Sequence, residues 1–220
     1  MNIIFDYFTK ENINDCKNII KQSNKLTDND ILLFLTIFKE FYFTYPNQII
    51  DPQFSNIIFR LFEKKEHKKD YNKKKIDTFL LNFNGDEIFV TIPLFYQSHW
   101  SLAIFIKQYK ILIHFDSIEN YHKNYLEKIL CYLVKMKIDI DKLSYINTPF
   151  QEGSWQCGYY LLMFNYLFLR VYHERINNKE DEFEFIKRIQ VKLEKYKNII
   201  NFKNTLEKTL DIILNYNFSV

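Results

Sequence analysis

The chain has 220 residues, of which 47% are hydrophobic and 26% charged, with a formal net charge of +3. That is enough chain to bury a sizeable core, too balanced in charge for general disorder, and too mildly basic for a nucleic-acid binder with a concentrated cationic face. With only 3 Gly and 4 Pro, a turn-rich β-sandwich or propeller is excluded.

The N-terminal MNIIFDYFTKENIND lacks a basic segment followed by an apolar one, so no secretory signal is expected. Residues 9–23 carry a weak helical pattern. Thr27-Asp28-Asn29-Asp30 offers side-chain oxygens to cap a second helix, which runs with dense apolar and aromatic residues over 31–45. Tyr45-Pro46-Asn47 breaks it. Asp51-Pro52 opens a further helix to about residue 62, with Pro where its missing N–H costs little. The run EKKEHKKDYNKKK over 63–75 reads as a solvated loop or frayed helix end, with a basic docking patch as the less favoured alternative.

The middle of the chain changes character. Residues 78–83 lead to the turn signal Asn84-Gly85-Asp86, and strands are expected over 87–93, 100–106 and 111–115, the last two joined by a polar turn at 107–110. Helical spacing returns over 120–137, with Leu126, Ile129, Leu130, Leu133 and Val134 on one face. A short strand over 143–147, a strongly apolar helix over 157–173 and one or two amphipathic helices over 180–215 follow. The apolar stretch 159–171 is too short to span a bilayer. Neither a repeat nor a domain linker is evident. The expectation is one domain over 1–220, with 177–220 as a helical extension packed on it, soluble, monomeric and intracellular (cytoplasmic and/or nuclear).

The three cysteines, Cys16, Cys131 and Cys157, are widely spaced and make no disulfide framework, and no CxxC or Cys/His cluster signals a metal. His99 immediately precedes one expected strand and Asp116 immediately follows the next. A hairpin centred between Lys107 and Gln108 sets these two opposite each other, where a carboxylate can fix an imidazole's tautomer and stabilise its charge. Cys157 opens the most apolar helix, directly after the loop Gln151-Glu152-Gly153-Ser154-Trp155-Gln156. There the helix dipole and unsatisfied N–H groups favour thiolate, and the same N–H groups with Gln151 can hold an oxyanion. Gly158 allows either close helix packing or close approach of a substrate backbone. The bland reading of each residue alone is a surface His, a turn-forming Asp and a small buried Cys. Cys16 and Cys131 are assigned to structure, and His67, His114 and His122 have no comparable setting.

Ile92-Pro93, then Ser98-His99-Trp100-Ser101-Leu102, then Phe115-Asp116-Ser117, then Gln151 with five residues before Cys157-Gly158, together resemble the ubiquitin-like-protein-specific cysteine proteases of the Ulp/SENP family. The resemblance covers roughly residues 5–175 and looks most like the small deneddylase branch. It implies a papain-like (clan CE) α+β fold, with a mostly antiparallel or mixed sheet flanked by helices and the nucleophile at the N-terminus of a buried helix. It implies nucleophile Cys157, general base His99, orienting Asp116 and oxyanion-hole Gln151, with no cofactor or metal. Trp100 would wall a tunnel for a modifier's Gly-Gly tail, with Trp155 and Gly158 also on the substrate side. The family's Trp-Leu-Asn-Asp motif corresponds to Thr27-Asp28-Asn29-Asp30, so Asn29 and Asp30 agree and would contact the tail, while Trp and Leu are replaced. The residue before the nucleophile is usually Asp and is Gln156 here. The implied partner is a ubiquitin-like modifier (Nedd-type, SUMO-type or ubiquitin) and its lysine conjugates, with neither nucleic acid nor membrane. Two rivals keep the same residues: an effector-type acetyltransferase on this fold, and a catalytically silent modifier-binding module. In an effector or viral protein the place of action would be the host cell.

Overall fold

In the computed structural model, residues 8–43, 46–53, 85–119, 121–135, 137–175, 181–196 and 199–217 are described. The helix expected beyond Gln53, the charged run at 63–75, the segment 78–83 and His67 lie outside them.

Strand β2 (Phe89–Tyr96) and strand β3 (His99–Ile106) form a hairpin in which Tyr96 pairs with His99. Its two-residue connection, Gln97-Ser98, has φ of 47° and 61°, the left-handed conformation whose twist matches that of the flanking strands. Strand β4 (Ile111–Phe115) returns antiparallel to β3 after a short helical turn, and Lys110 closes that turn with φ of 51°. Two short parallel strands complete the five-stranded sheet: β1 (Asn47–Ile49) beside β2, and β5 (Lys142–Ile146) beside β4. β1 lies where the sequence shows only a helix break. It covers β2 from Phe89 to Thr91 only, so the Pro93 nitrogen, which has no hydrogen to donate, falls past its end.

The β3–β4 register corrects the expected one. Leu102 pairs with Phe115, which centres the turn between Gln108 and Tyr109 and slides the strands by two residues. A slip of two preserves the alternation of faces, so His99 and Asp116 still share one face, diagonally rather than directly opposed.

Alternation divides the core in two. Trp100, Leu102, Ile104, Ile106, Ile111, Ile113 and Phe115 face a large apolar layer formed by helices α1 (Lys10–Lys21), α2 (Asp28–Ile37), α4 (Cys157–Arg175), α5 (Glu182–Lys195) and α6 (Ile199–Asn217). Val90, Ile92, Leu94, Ala103, Phe105 and Leu112 face helix α3 (Lys123–Lys135) on the other side. α3 buries Leu126, Ile129 and Leu133, whereas Val134, expected on that face, is 49% exposed. One step further round the helix has already left the stripe.

α4 is apolar on nearly every side because it is covered on nearly every side, with Tyr159, Leu161, Leu162, Met163, Phe164 and Phe168 all buried. α1 and α2 start on capping boxes, Thr9 with Asn12 and Thr27 with Asp30. α2 ends early: from Phe38 to Tyr42 it widens into a π-helical turn, where an uninterrupted helix over 31–45 was expected. α5 starts on the Asp181 side chain and buries Phe185, Ile189 and Leu193, one helical face. α6 adds Phe202, Leu206, Leu210 and Ile213 to the same core. Among the described residues no helix is long and apolar enough to cross a membrane.

Candidate active site

Three element ends meet at one end of the sheet. His99 is the first residue of β3, Asp116 follows the last residue of β4, and Cys157 is the first residue of α4. His99 Nε2 lies 2.6 Å from Asp116 Oδ1, and both side chains are nearly sealed, 5% and 6% exposed. His99 is also hydrogen-bonded to the Cys157 side chain. With Nε2 committed to Asp116, the ring nitrogen left for sulfur is Nδ1. Asp116 Oδ1 also accepts the Ile118 N–H at 3.0 Å, and Oδ2 accepts the His122 N–H at 3.2 Å.

The electrostatics follow from these contacts. Burial works against a charged His99, but hydrogen bonds from the ring to Asp116 and Cys157 outweigh it and raise its pKa to about 9. Asp116 is likewise penalised by burial, yet its bonds from His99 and the Ile118 N–H hold its carboxyl below the usual carboxylate range. Burial pushes the Cys157 thiol up, while the hydrogen bond to His99 and the backbone N–H groups of Trp100 and Gly158 pull it lower by more. The arrangement favours a thiolate–imidazolium pair oriented by a carboxylate, with the sulfur at a helix N-terminus.

Gln151 is brought to the same end and is 7% exposed. Ser117 donates its hydroxyl to Gln151 Oε1 at 2.7 Å, and the Ser117 carbonyl accepts the Gln151 N–H at 3.0 Å. Ser117 thereby fixes the amide's orientation and leaves its NH2 as the donor end. That role was carried silently by the Asp-Ser pair in the sequence. Gln156 Oε1 accepts the N–H groups of both Glu152 and Gly153, at 2.9 and 3.0 Å. The residue that departs from the family pattern therefore ties down the loop that presents Gln151.

The expected substrate-side residues are placed less uniformly. Trp100 is only 3% exposed: its indole N–H donates to the Leu26 carbonyl, and its ring lies 4.5 Å from that of Phe95. What it presents to Cys157 is its backbone N–H. Asp30 is buried, and its Oδ2 closes the capping box on the Thr27 N–H and hydroxyl, at 2.7 and 2.6 Å. It also holds the Cys16 thiol, whose pKa is driven well up by burial and by that carboxylate. Asn29 is exposed on the first turn of α2, and Trp155 is half-buried with its ring edge-on to Tyr159. At Gly158 the structure shows close helix packing. A Cβ there would come within 3.1 Å of the Leu26 Cβ and 3.4 Å of the Ile31 Cδ1, so this glycine lets α2 and the loop before it close on α4.

His114 and His122, which have no evident setting in the sequence, are 2% and 0% exposed and lie beside Asp116. A signal for His114 exists: Ser101 and His114 each stand two residues from His99 or Asp116, so alternation puts all four on one face. Among the described residues His99, Asp116 and His122 are the group whose donor atoms lie close enough to hold a metal, within 4.8 Å. Those donors are spent internally, His99 on Asp116 and both His122 nitrogens on Ser101 and the Tyr96 carbonyl.

An α+β sheet-and-helix fold with a buried Cys–His–Asp set at a helix start defines a thiol-protease scaffold. The sequence pattern of the Ulp1 protease family, C-terminal catalytic domain, matches residues 6–201. The chain belongs to that family and is a cysteine-protease domain. Solved structures agree on the fold. A de-sumoylating protease superposes with a TM-score of 0.62 at 16% identity, covering 92% of this chain and 88% of that one. The C-terminal Ulp1 protease domain in complex with Smt3, the yeast ortholog of SUMO, gives 0.53 at 16% identity, covering 87% and 83%. The Xanthomonas campestris effector XopD bound to ubiquitin gives 0.53 at 14% identity, covering 76% and 90%. No curated protein sequence matches this chain.

Proposed function

We propose that this protease cleaves after the C-terminal Gly-Gly of a ubiquitin-like modifier, freeing it from a lysine isopeptide or from its precursor. The observation that carries the catalytic part is the buried His99–Asp116 contact at 2.6 Å beside the Cys157 sulfur at the start of α4. The modifier class is supported by family membership and by neighbouring structures that hold SUMO and ubiquitin.

In this reading the Cys157 thiolate attacks the terminal glycine carbonyl, and the oxyanion is held by the Gln151 NH2 and the N–H at the helix start. His99, as imidazolium, gives its proton to the departing lysine amine, leaving a thioester on Cys157. Neutral His99 then takes a proton from water, whose oxygen attacks the thioester and returns the sulfur as thiolate. Asp116 keeps the imidazole in register and stabilises its charge throughout.

The test is a panel of SUMO-, Nedd- and ubiquitin-type modifiers carrying a C-terminal electrophile. At least one is expected to label the wild type, and none to label Cys157→Ala. Absence of labelling across the panel in a folded wild type overturns the reading.

A further inference from the structure

Two buried imidazoles stand behind the catalytic carboxylate without a part in the chemistry above. Ser101 Oγ lies 2.7 Å from His122 Nδ1 and 3.1 Å from His114 Nε2. His122 Nε2 lies 3.3 Å from the Tyr96 carbonyl oxygen. Ser101, His114 and His122 are 1%, 2% and 0% exposed.

Proton positions follow from one end. A carbonyl oxygen only accepts, so Nε2 of His122 carries the hydrogen and Nδ1 of a neutral ring is a bare lone pair. A lone pair only accepts, so the Ser101 hydroxyl donates to it. That hydroxyl has one hydrogen, so toward His114 its oxygen accepts and His114 Nε2 donates. The chain therefore runs in one direction, from His114 through Ser101 and His122 to Tyr96. The His122 ring is neutral in it. A further proton on His122 Nδ1 would point two ring donors at the Ser101 oxygen and turn the hydroxyl hydrogen away from both rings.

The chain touches the catalytic pair through His122, whose backbone N–H is held by Asp116 Oδ2 while Oδ1 serves His99. The groups facing Asp116 are His99 on β3, His114 at the end of β4, His122 ahead of α3, and Thr148, whose hydroxyl donates to the Asp116 carbonyl. Glu119 lines a cleft with His114 and Asp116, Cys157 lies beyond His99, and Tyr121 sets its ring edge-on to His99, 4.8 Å between centroids.

We propose, on the protease reading above, that Ser101 and His122 are positioning residues. The directed chain pins the segment that carries the His122 N–H, and by keeping the His122 ring uncharged it leaves Asp116 to stabilise the His99 imidazolium. Burial favours the neutral form of both rings, driving His114 and His122 down to about 4 against the opposing pull of the Asp116 charge, with the neighbouring imidazoles adding to the lowering.

The experiment has two arms. In the first, kcat and KM are measured against pH for wild type, Ser101→Ala and Ser101→Thr, with a modifier-tail substrate. Ser101→Ala is expected to lose about 10-fold in kcat, with KM within about two-fold, and to shift the alkaline limb of kcat/KM down by about half a pH unit or more. A loosened carboxylate holds the His99 proton less well. Ser101→Thr, which keeps the hydroxyl, is expected to restore both. In the second arm, nitrogen-15 NMR of the histidine rings in Cys157→Ala needs no turnover. His114 and His122 are expected to be neutral Nε2–H tautomers from about pH 7.5 down to about pH 5. An Nδ1–H tautomer at His122, its protonation near the ordinary histidine range, or an alkaline limb in Ser101→Ala equal to wild type overturns the inference. Failure of the protease reading looks different: wild type itself turns over no substrate.

Discussion

Replacing Asp116 by Asn tests the electrostatic core of the site most directly. The His99 pKa stands at about 9 against an ordinary 6.5. A gap of roughly 2.5 pH units corresponds to about 3 kcal/mol of preference for the imidazolium. Burial opposes that preference, so the bonds to Asp116 and Cys157 supply more than the net figure, with Asp116 the larger partner. Asn preserves the shape but removes the charge and offers no comparable acceptor. The alkaline limb of kcat/KM is therefore expected to fall from about 9 toward the ordinary histidine range, because burial is then opposed by the Cys157 contact alone. At neutral pH the thiolate fraction should drop with it, which the rate of Cys157 alkylation by iodoacetamide reads without any substrate. Stability supplies a second signature. A raised folded-state pKa contributes stability that is fully present below 6.5 and is lost as pH rises through about 9. Read in a Cys157→Ala background, where the depressed thiol no longer offsets the imidazole's proton over the same range, the urea midpoint should decline as pH rises above 6.5, and adding Asp116→Asn should flatten it. A variant with a wild-type alkaline limb, folded by circular dichroism, would refute this account of how the imidazole is charged.

Two other outcomes follow from the structure. His114 and His122 have folded pKa values of about 4 against 6.5, so the unfolded chain takes up protons first, and stability is expected to fall between pH 6.5 and about 4 by roughly 3 kcal/mol for each ring. Urea midpoints measured down that range should fall steeply, and a flat profile would show that the rings are not buried neutral. Gly158→Ala places a Cβ 3.1 Å from the Leu26 Cβ, and overpacking there should outweigh the roughly 1 kcal/mol by which Ala favours the helix over Gly, for a net loss of about 1 kcal/mol read as a lowered thermal midpoint. An unchanged midpoint would mean that α2 and α4 can separate freely.

Much of the site is readable along the chain because its residues sit where elements begin and end. His99, Asp116 and Cys157 are each at a strand or helix boundary, where turn signals, alternation and apolar density change together. The strands and helices around them are legible for the same reason, since β3 and β4 are short, apolar and separated by a polar turn. β1 is not, because three residues beside a proline carry too little pattern and become a strand only through β2. The π-helical turn at Phe38–Tyr42 is likewise invisible, as the aromatic residues there satisfy a helical pattern equally well.

What the sequence determines by itself is which residue types stand at those boundaries, and hence that one of three cysteines can be a thiolate and the other two cannot share its setting. Tertiary structure decides what lies behind them. The register is two residues from the expected one, yet the pair survives because an even slip keeps the face. That same face is what places Ser101 and His114 against Asp116, and the segment crossing it supplies His122. Gly158 and Asp30 show roles that only the fold reveals: one lets α2 pack close on α4, and the other closes the capping box on Thr27. Local pattern depends on near neighbours in sequence. Burial, proton position and competition for a hydrogen bond depend on neighbours in space, and only the folded chain brings those together.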